Sequence, residues 1–248
     1  MGMSASFPGC QSLSAVRVKR STNRIVPEQE QAAPWTTSVF GVSLEDCNQK
    51  DGDSIPLVIK DLVEYLYMFG LKHKGLFRIS GSVHKVKILK AKYDRGEKVN
   101  LDHEGDIDTV ASLIKLFLKD LPVGVIPEYT HAGFIGAYNA HRHDTDECNK
   151  QLKKLIERLP IAHSNILRYL CTFLIKVASY SEINSMTLEN MSIVFGPSFF
   201  RIPFSENIHN KQMLCNSILL HILCNYEKIS KSEIGSRVRF TLPMFSVF

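Results

Sequence analysis

The 248-residue sequence lacks several features that define large protein classes. No apolar run approaches the ~20 residues that a membrane-spanning helix needs, and no charged-then-apolar signal peptide opens the chain. The six cysteines include no C-x-x-C pair, which disfavours a disulfide framework and indicates a reducing, cytoplasmic location. Neither a G-x-x-x-x-G-K-S/T loop nor a G-x-G-x-x-G motif is present, so the sequence shows no nucleotide-binding loop.

A large excess of charge of one sign is also absent, since the formal net charge is +5. This mild basic balance is compatible with an acidic or phosphate-bearing partner, but it is far from that of a nucleic-acid-binding protein. Apolar residues make up 44% of the sequence, which is enough for the core of one ordinary domain.

Hydrophobic periodicity divides the chain into three parts. Residues 1–37 carry little periodicity and are predicted to be a disordered basic segment. Gly2 fits the loose spacing for N-myristoylation, for which we favour chance; acylation would give a weak peripheral membrane association as the alternative. Residues 38–230 carry a helical pattern, and residues 231–248 form a short apolar tail.

The middle part predicts an all-α domain of about eight to nine helices around a bundle core, without convincing strand alternation. The expected helices cover about 56–69, 83–95, 107–121, 127–139, 146–159, 162–178, 187–195 and 208–229. Residues 45–53 and 97–106 are expected to be polar loops. The inward-facing residues are expected to include Phe69 and Val83, with Ser82 as an N-cap and Pro197 just beyond the end of its helix.

One arginine lies in an apolar stretch with a glycine at each end, GLFRISG at 75–81. Because a guanidinium is always charged, Arg78 needs a partner, which is either an internal carboxylate or an anion on another molecule. The stretch alone favours neither alternative. An arginine that a rigid loop presents to a phosphate is how an arginine finger works.

Two further polar features accompany this stretch. The few polar residues of the apolar helix 107–121 recur at three- or four-residue steps and share one narrow face: Asp108, Ser112, Lys115 and Lys119. This face meets either water or an acidic partner. Asn190 lies opposite the apolar residues of its helix, where its amide either tethers the helix to a loop or meets a ligand.

Three blocks, in order and spacing, resemble the Rho-family GTPase-activating (RhoGAP) domain family over about residues 38–230. They are GLFRISG at 75–81, LIKLFLKDLP at 113–122 and MTLENMSIVFGP at 186–197. The resemblance implies a GTPase activator that is not itself an enzyme and acts on a GTP-bound Rho-, Rac- or Cdc42-type GTPase. It also implies that magnesium and GTP belong to the partner, so that this chain needs no cofactor.

The same resemblance implies roles for individual residues. Arg78 would be the arginine finger, and Lys115 and Asn190 would belong to a partner-facing patch that also steadies the finger. Lys119 and Pro197 would contact the partner as well.

Two departures from the family pattern keep an alternative open. The family usually has arginine where this chain has Lys119, and lysine lacks the planar fork for a bidentate contact. The family also favours a PEPL run where this chain has VGVI at 123–126. A non-catalytic module that binds Rho GTPases as a scaffold is therefore the second hypothesis.

Two other features are weaker. The stretch 141–148, a loop to Asp146 and then the start of a helix, holds two histidines, two aspartates and a cysteine, for which a polar surface loop is favoured over a metal site. The helix 83–95 carries a basic face, interpreted either as solvated surface or as a patch that steers an acidic GTPase or meets anionic lipid. Its members are Lys85, Lys87, Lys90, Lys92 and Arg95.

Overall fold

The computed structural model describes residues 38–202 and 208–230, which form twelve α-helices and no β-strand. Within these residues nine helices have eight or more residues, so the predicted all-α class is confirmed. The predictions for residues 1–37 and 231–248, including Gly2 and the apolar tail, lie outside the described residues. No helix of the described part combines the length and apolar character that a membrane crossing requires.

The helices follow one another through short connections. Their bounds are α1 Leu44–Asp51, α2 Leu57–Tyr65, α3 Val83–Asp94, α4 Leu101–Glu104, α5 Ile107–Asp120, α6 His131–His141, α7 Thr145–Glu157, α8 Ile161–Ala178, α9 Ser181–Asn184, α10 Leu188–Phe200, α11 Ile208–Cys224 and α12 Tyr226–Ser230. A π-helical turn, Leu66–Gly70, continues α2, and a 3₁₀ turn, Glu128–Thr130, precedes α6.

The long helix α8 lies in the middle of the hydrophobic core. Twelve of its eighteen residues are buried, and Leu170 and Phe173 are fully inaccessible to solvent. Helix α5 is the second central element, since Leu113, Ile114 and Phe117 are fully buried. A helix that is buried on most of its surface belongs in the middle of its domain.

Helix α1 corrects the prediction of a polar loop at 45–53. Ser43 caps the helix by accepting a hydrogen bond from the Asp46 backbone amide, and Gly52 ends it in the left-handed conformation. Only Leu44 and Cys47 of this helix are buried, so its apolar periodicity is too weak to reveal it. Helix α4 likewise occupies part of the predicted loop 97–106.

The π-helical turn at Leu66–Gly70 explains why the prediction for Phe69 is wrong. A π turn contains more residues than an α-helical turn, so the 3.6-residue count no longer gives the facing of side chains after Leu66. Phe69 is therefore 54% exposed, although the α-helical count places it inside. Val83 was also predicted inside and is exposed, because it directly follows the Ser82 cap at the start of α3. The Ser82 cap itself is confirmed.

Helix α10 continues past the point where the sequence predicts its end. Pro197 lies inside the helix, which ends only at Arg201, in the left-handed region with φ of 34°. Proline removes one backbone donor and usually breaks a helix. Here Phe199 and Phe200, in the last turn, are fully buried, and their packing offsets that loss.

Four of the five cysteines that the structure describes pack as small apolar residues. Cys47, Cys148, Cys171 and Cys215 are buried and unpaired, whereas Cys224 is exposed. Burial raises the pKa of the Cys171 thiol to about 12, so it does not form a thiolate near neutral pH.

Replacing Leu170 by alanine is expected to lower the free energy of unfolding by about 2–5 kcal/mol, because the side chain is fully buried in α8. The matched control is Ile161→Ala on the same helix, where the side chain is 76% exposed. The control should change the free energy by less than about 0.5 kcal/mol. Urea denaturation measures both, and equal losses would mean that α8 is not the centre of the core.

Candidate functional site

Both glycines of the segment 75–81, called the Arg78 loop below, are required by local geometry. Gly75 has φ of 75°, which glycine adopts without strain, and its amide donates to the Asn184 carbonyl at 2.7 Å. Gly81 lies so close to α5 that an added Cβ would overlap the backbone of Thr109. The Gly81 amide also donates to Ser112 Oγ at 3.0 Å. Both ends of the loop are thus attached to neighbouring elements.

Phe77 anchors the middle of the Arg78 loop. Its φ of 69° lies in the left-handed region, a conformation that costs a bulky residue roughly 1–3 kcal/mol. The ring is 1% exposed and packs edge-to-face against Phe195 and Phe173, with centroids 4.9 Å and 6.1 Å away. Each such pair contributes about 0.5–1.5 kcal/mol beyond area burial, so this packing maintains the unfavourable backbone conformation.

Lys115 supports the same residue from α5. Its Nζ donates a 2.7 Å hydrogen bond to the Phe77 carbonyl oxygen, directly before Arg78 in the chain. Burial lowers the pKa of Lys115, while the nearby Asp108 carboxylate acts in the opposite direction. Asp108 in turn lies 3.0 Å from His73 Nε2, just ahead of the loop. Ser112 and Lys115, from the polar face predicted on this helix, therefore bond the Arg78 loop, whereas Lys119 does not.

Arg78 itself is exposed. Its backbone amide donates to the Gly75 carbonyl at 2.8 Å, but its guanidinium makes no ion pair or hydrogen bond with residues 38–202 and 208–230. Two partly buried or capping arginines differ, since Arg168 donates to the Ser230 carbonyl and Arg201 donates to carbonyls of the loop after α5. The sequence left two partners open for Arg78, an internal carboxylate or an anion on another molecule. No carboxylate of the described residues pairs with Arg78.

The other predicted partner-binding residues lie on α5 and α10. Lys119 is exposed one turn beyond Lys115 and pairs with no carboxylate in the described part of the chain. Asn190 Nδ2 donates to the Ser185 carbonyl at 3.1 Å. Pro197 is exposed and lies two turns further along α10, on the same face as Asn190.

The sequence did not reveal two residues of this site, one of them exposed and the other buried. Ile193 is 60% exposed between Asn190 and Pro197, although its position in an apolar block suggested burial. Asn184 is fully buried and accepts the Gly75 amide, whereas an Asn-Ser pair ahead of a helix is typical of a turn. No sequence signal distinguishes a buried asparagine from an exposed turn asparagine at this position.

The basic face of α3 is largely compensated by carboxylates of this same domain. Lys85 pairs with Asp106, Lys90 with Asp94, Lys92 with Glu104 and Arg95 with Glu97. By contrast, the exposed cations Lys72 and Lys74 ahead of the Arg78 loop form no ion pair within residues 38–202 and 208–230. Uncompensated positive charge is therefore present beside Arg78.

The segment 123–126, which departs from the family pattern, packs into the core. Val125 and Ile126 are fully buried. The Val125 carbonyl lies 3.0 Å from His163 Nδ1, and the Ile126 amide donates to the Phe199 carbonyl at 2.8 Å. Val125 and Ile126 thus connect the end of α5 to α8 and α10, and neither residue takes part in the anchors of the Arg78 loop.

The candidate metal ligands in and after the polar loop before α7 each have a separate structural role. Asp144 caps α7 by accepting from the Glu147 amide, Asp146 pairs with Lys228, and Cys148 is buried. Within the described ranges no group of three or more histidine, cysteine, aspartate or glutamate side chains is arranged to hold a metal ion.

Comparison with known proteins gives a consistent result. The profile of the RhoGAP domain matches residues 56–204. The sequence is 37% identical over 172 residues to Rho GTPase-activating protein 24 of Homo sapiens, covering 68% of this chain and 23% of that protein. It is 38% identical over 173 residues to Rho GTPase-activating protein 22 of Mus musculus, covering 68% of this chain and 25% of that protein. This chain thus spans at most a quarter of the length of these two curated relatives.

The fold is also that of a solved relative. The crystal structure of human Rho GTPase-activating protein 15 superposes with a TM-score of 0.75 at 26% sequence identity, covering 78% of this chain and 92% of that one. The likeness spans most of the described helices.

Replacing Lys115 by methionine is expected to speed amide hydrogen exchange in the Arg78 loop. The Phe77 carbonyl would lose a charged donor, and such hydrogen bonds contribute about 1.5–3 kcal/mol, or roughly ten- to hundredfold in local opening. Lys119→Met is the matched control, because Lys119 is one turn away and forms no hydrogen bond with the described residues of the loop. Exchange as slow as in the unchanged chain would show that the Lys115 hydrogen bond does not hold the loop.

Proposed function

This chain belongs to the RhoGAP domain family, and on that premise we propose that it accelerates GTP hydrolysis by a Rho-family GTPase. It does so by supplying Arg78 in trans to the nucleotide that the GTPase binds. The bond to the γ-phosphate is broken in the active site of the partner, so the chain is an activator and not the hydrolase.

The observation that carries the proposal is an exposed, unpaired guanidinium on a loop that is anchored at Gly75, Phe77 and Gly81. Leu76 and Phe77, directly before Arg78, are fully or almost fully buried. The Phe77 carbonyl accepts from Lys115, and the Gly75 and Gly81 amides donate to the body of the domain. Because the backbone of the loop is already ordered, entry of Arg78 into a pocket on another molecule costs only the conformational freedom of its own side chain.

The chemistry of phosphoryl transfer suits this arrangement. The reaction needs positioning and stabilisation of charge on the phosphoryl oxygens, with little covalent participation by the protein. A guanidinium that meets this charge in the transition state increases the rate by ~10³–10⁵, equivalent to about 4–7 kcal/mol. In this proposal magnesium, GTP and the residue that orients the attacking water all belong to the GTPase.

The remaining site residues form the docking surface around the finger. Lys115 keeps the loop in place, and Asn190, Pro197 and the exposed Ile193 form one face of α10 that contacts the GTPase. Lys119 contributes positive charge, but lacks the planar fork of an arginine. The partner is a Rho-, Rac- or Cdc42-type GTPase in its GTP-bound form.

Replacing Arg78 by alanine is expected to abolish acceleration, with a fall of ~10³–10⁵ in the single-turnover rate at saturating concentrations of the chain. Arg78→Lys should lose most of the activity too, since an ammonium cannot span two phosphoryl oxygens. The measurement uses GTP-loaded Rho, Rac and Cdc42 in turn, with binding followed separately by a non-hydrolysable GTP analogue.

The control is Arg158→Ala, because Arg158 is an exposed arginine at the end of α7. It should leave both rate and affinity unchanged. Binding without acceleration by the unchanged chain would favour the scaffold hypothesis, and full activity of Arg78→Ala would contradict the finger.

A further inference from the structure

Asn184, in the last position of α9, is a fully buried polar residue on which three parts of the fold converge. Its Nδ2 donates to the Leu71 carbonyl at 2.8 Å and to the Val177 carbonyl at 2.9 Å. Its Oδ1 accepts from the Met186 amide at 2.8 Å. Both amide hydrogens of the side chain and its carbonyl oxygen are thus used.

The main chain of Asn184 adds a contact to the Arg78 loop. Its carbonyl oxygen accepts from the Gly75 amide at 2.7 Å, and the Gly75 carbonyl accepts from the amides of Arg78 and Ile79 at 2.8 and 3.0 Å. The side chain holds the chain before the loop at Leu71, while the main chain holds the start of the loop at Gly75. A continuous series of hydrogen bonds therefore leads from α8 through Asn184 to the residue that carries the guanidinium.

The next residue connects the same point to α10. Ser185 has φ of 61°, a left-handed conformation that turns the chain toward Met186 and α10. Its carbonyl accepts from Asn190 Nδ2 at 3.1 Å. Asn184 and Ser185 together therefore lie between the Arg78 loop and the α10 face that carries Asn190 and Pro197.

We propose that Asn184 is a positioning residue that fixes the Arg78 loop relative to α10, so that the guanidinium and the docking face reach the GTPase in one geometry. This inference rests on the proposed function. Asn184 touches neither the partner nor the nucleotide and acts only through Gly75 and Leu71. Because a misplacement of about 1 Å can cost roughly 10²-fold in rate, loss of this anchor should affect the chemical step more than binding.

The test compares Asn184→Ala with Asn149→Ala. Asn149 is also a buried asparagine, 5% exposed, whose Oδ1 lies 2.9 Å from His221 Nε2 in the contact between α7 and α11. Both variants lose a buried amide, but only the first borders the Arg78 loop. Each is measured at a temperature well below its own Tm.

For Asn184→Ala the single-turnover rate at saturation should fall about 10- to 100-fold, while Kd for the GTPase loaded with a non-hydrolysable GTP analogue changes less than about threefold. The Gly75, Arg78 and Ile79 amides should exchange hydrogen faster. Asn149→Ala should lower Tm, yet keep the saturating rate and the protection of Gly75. For Asn184→Ser, which retains one hydroxyl donor, the saturating rate and the protection of Gly75 should lie between those of the unchanged chain and those of Asn184→Ala.

Wild-type rate and wild-type protection of Gly75 in folded Asn184→Ala would overturn the proposal. So would failure of both Asn184 variants to fold, because the residue would then support the domain as a whole. If the unchanged chain accelerates no Rho-family GTPase, the proposed function fails, and unchanged Gly75 protection in the variants would separately refute the anchor.

Discussion

The buried ring of Phe77 and the exposed guanidinium of Arg78 are adjacent in the chain, and the first determines where the second can lie. Phe77 adopts a left-handed backbone conformation that a bulky side chain avoids in isolation. It remains there because its ring fills a space between Phe173 of α8 and Phe195 of α10. Since the peptide plane after Phe77 is thereby fixed, and its carbonyl is bonded to Lys115, the next residue leaves the domain in one direction.

The surrounding structure holds this loop from three sides. Helix α5 bonds it through Ser112 and Lys115, the α9 turn bonds it through Asn184, and α8 and α10 enclose the ring. Each anchor uses a buried or half-buried group, so the loop is ordered before any partner arrives. Binding then has to order only the Arg78 side chain and not the backbone of the loop, which is the general advantage of preorganisation. The position of Arg78 therefore depends on the packing of several helices of the core.

Much of this could be predicted from the sequence, for reasons that individual residues illustrate. The buried side of α8 and the polar face of α5 follow from the 3.6-residue period of a helix. Ser82 is recognisable in the sequence as an N-cap, which predicts the start of α3. The Arg78 loop was recognisable because two glycines bracket a single charge among apolar residues. Periodicity is a local property, and it succeeds where one helix faces the core along its whole length.

The features that could not be predicted from the sequence depend on irregular helix geometry or on contacts between distant segments. Phe69 turned outward because a π-helical turn interrupts the count, and Pro197 stayed inside α10 because Phe199 and Phe200 are buried beyond it. Asn184 bonds Leu71, 113 residues away, and neither segment contains a signal for the other. The α3 lysines looked like a basic patch, since the carboxylates that pair with them lie mostly on other elements or loops.

The measurement that tests the account most directly is the affinity of the chain for a Rho-family GTPase in two nucleotide states. GDP with aluminium fluoride mimics the transferring phosphoryl group, whereas a non-hydrolysable GTP analogue mimics the ground state. An arginine that acts on the transition state should bind the first state more tightly than the second, and Arg78→Ala should abolish that difference while retaining affinity for the second. Equal affinity of the unchanged chain for both states, or a preference that survives in Arg78→Ala, would contradict the role assigned to Arg78.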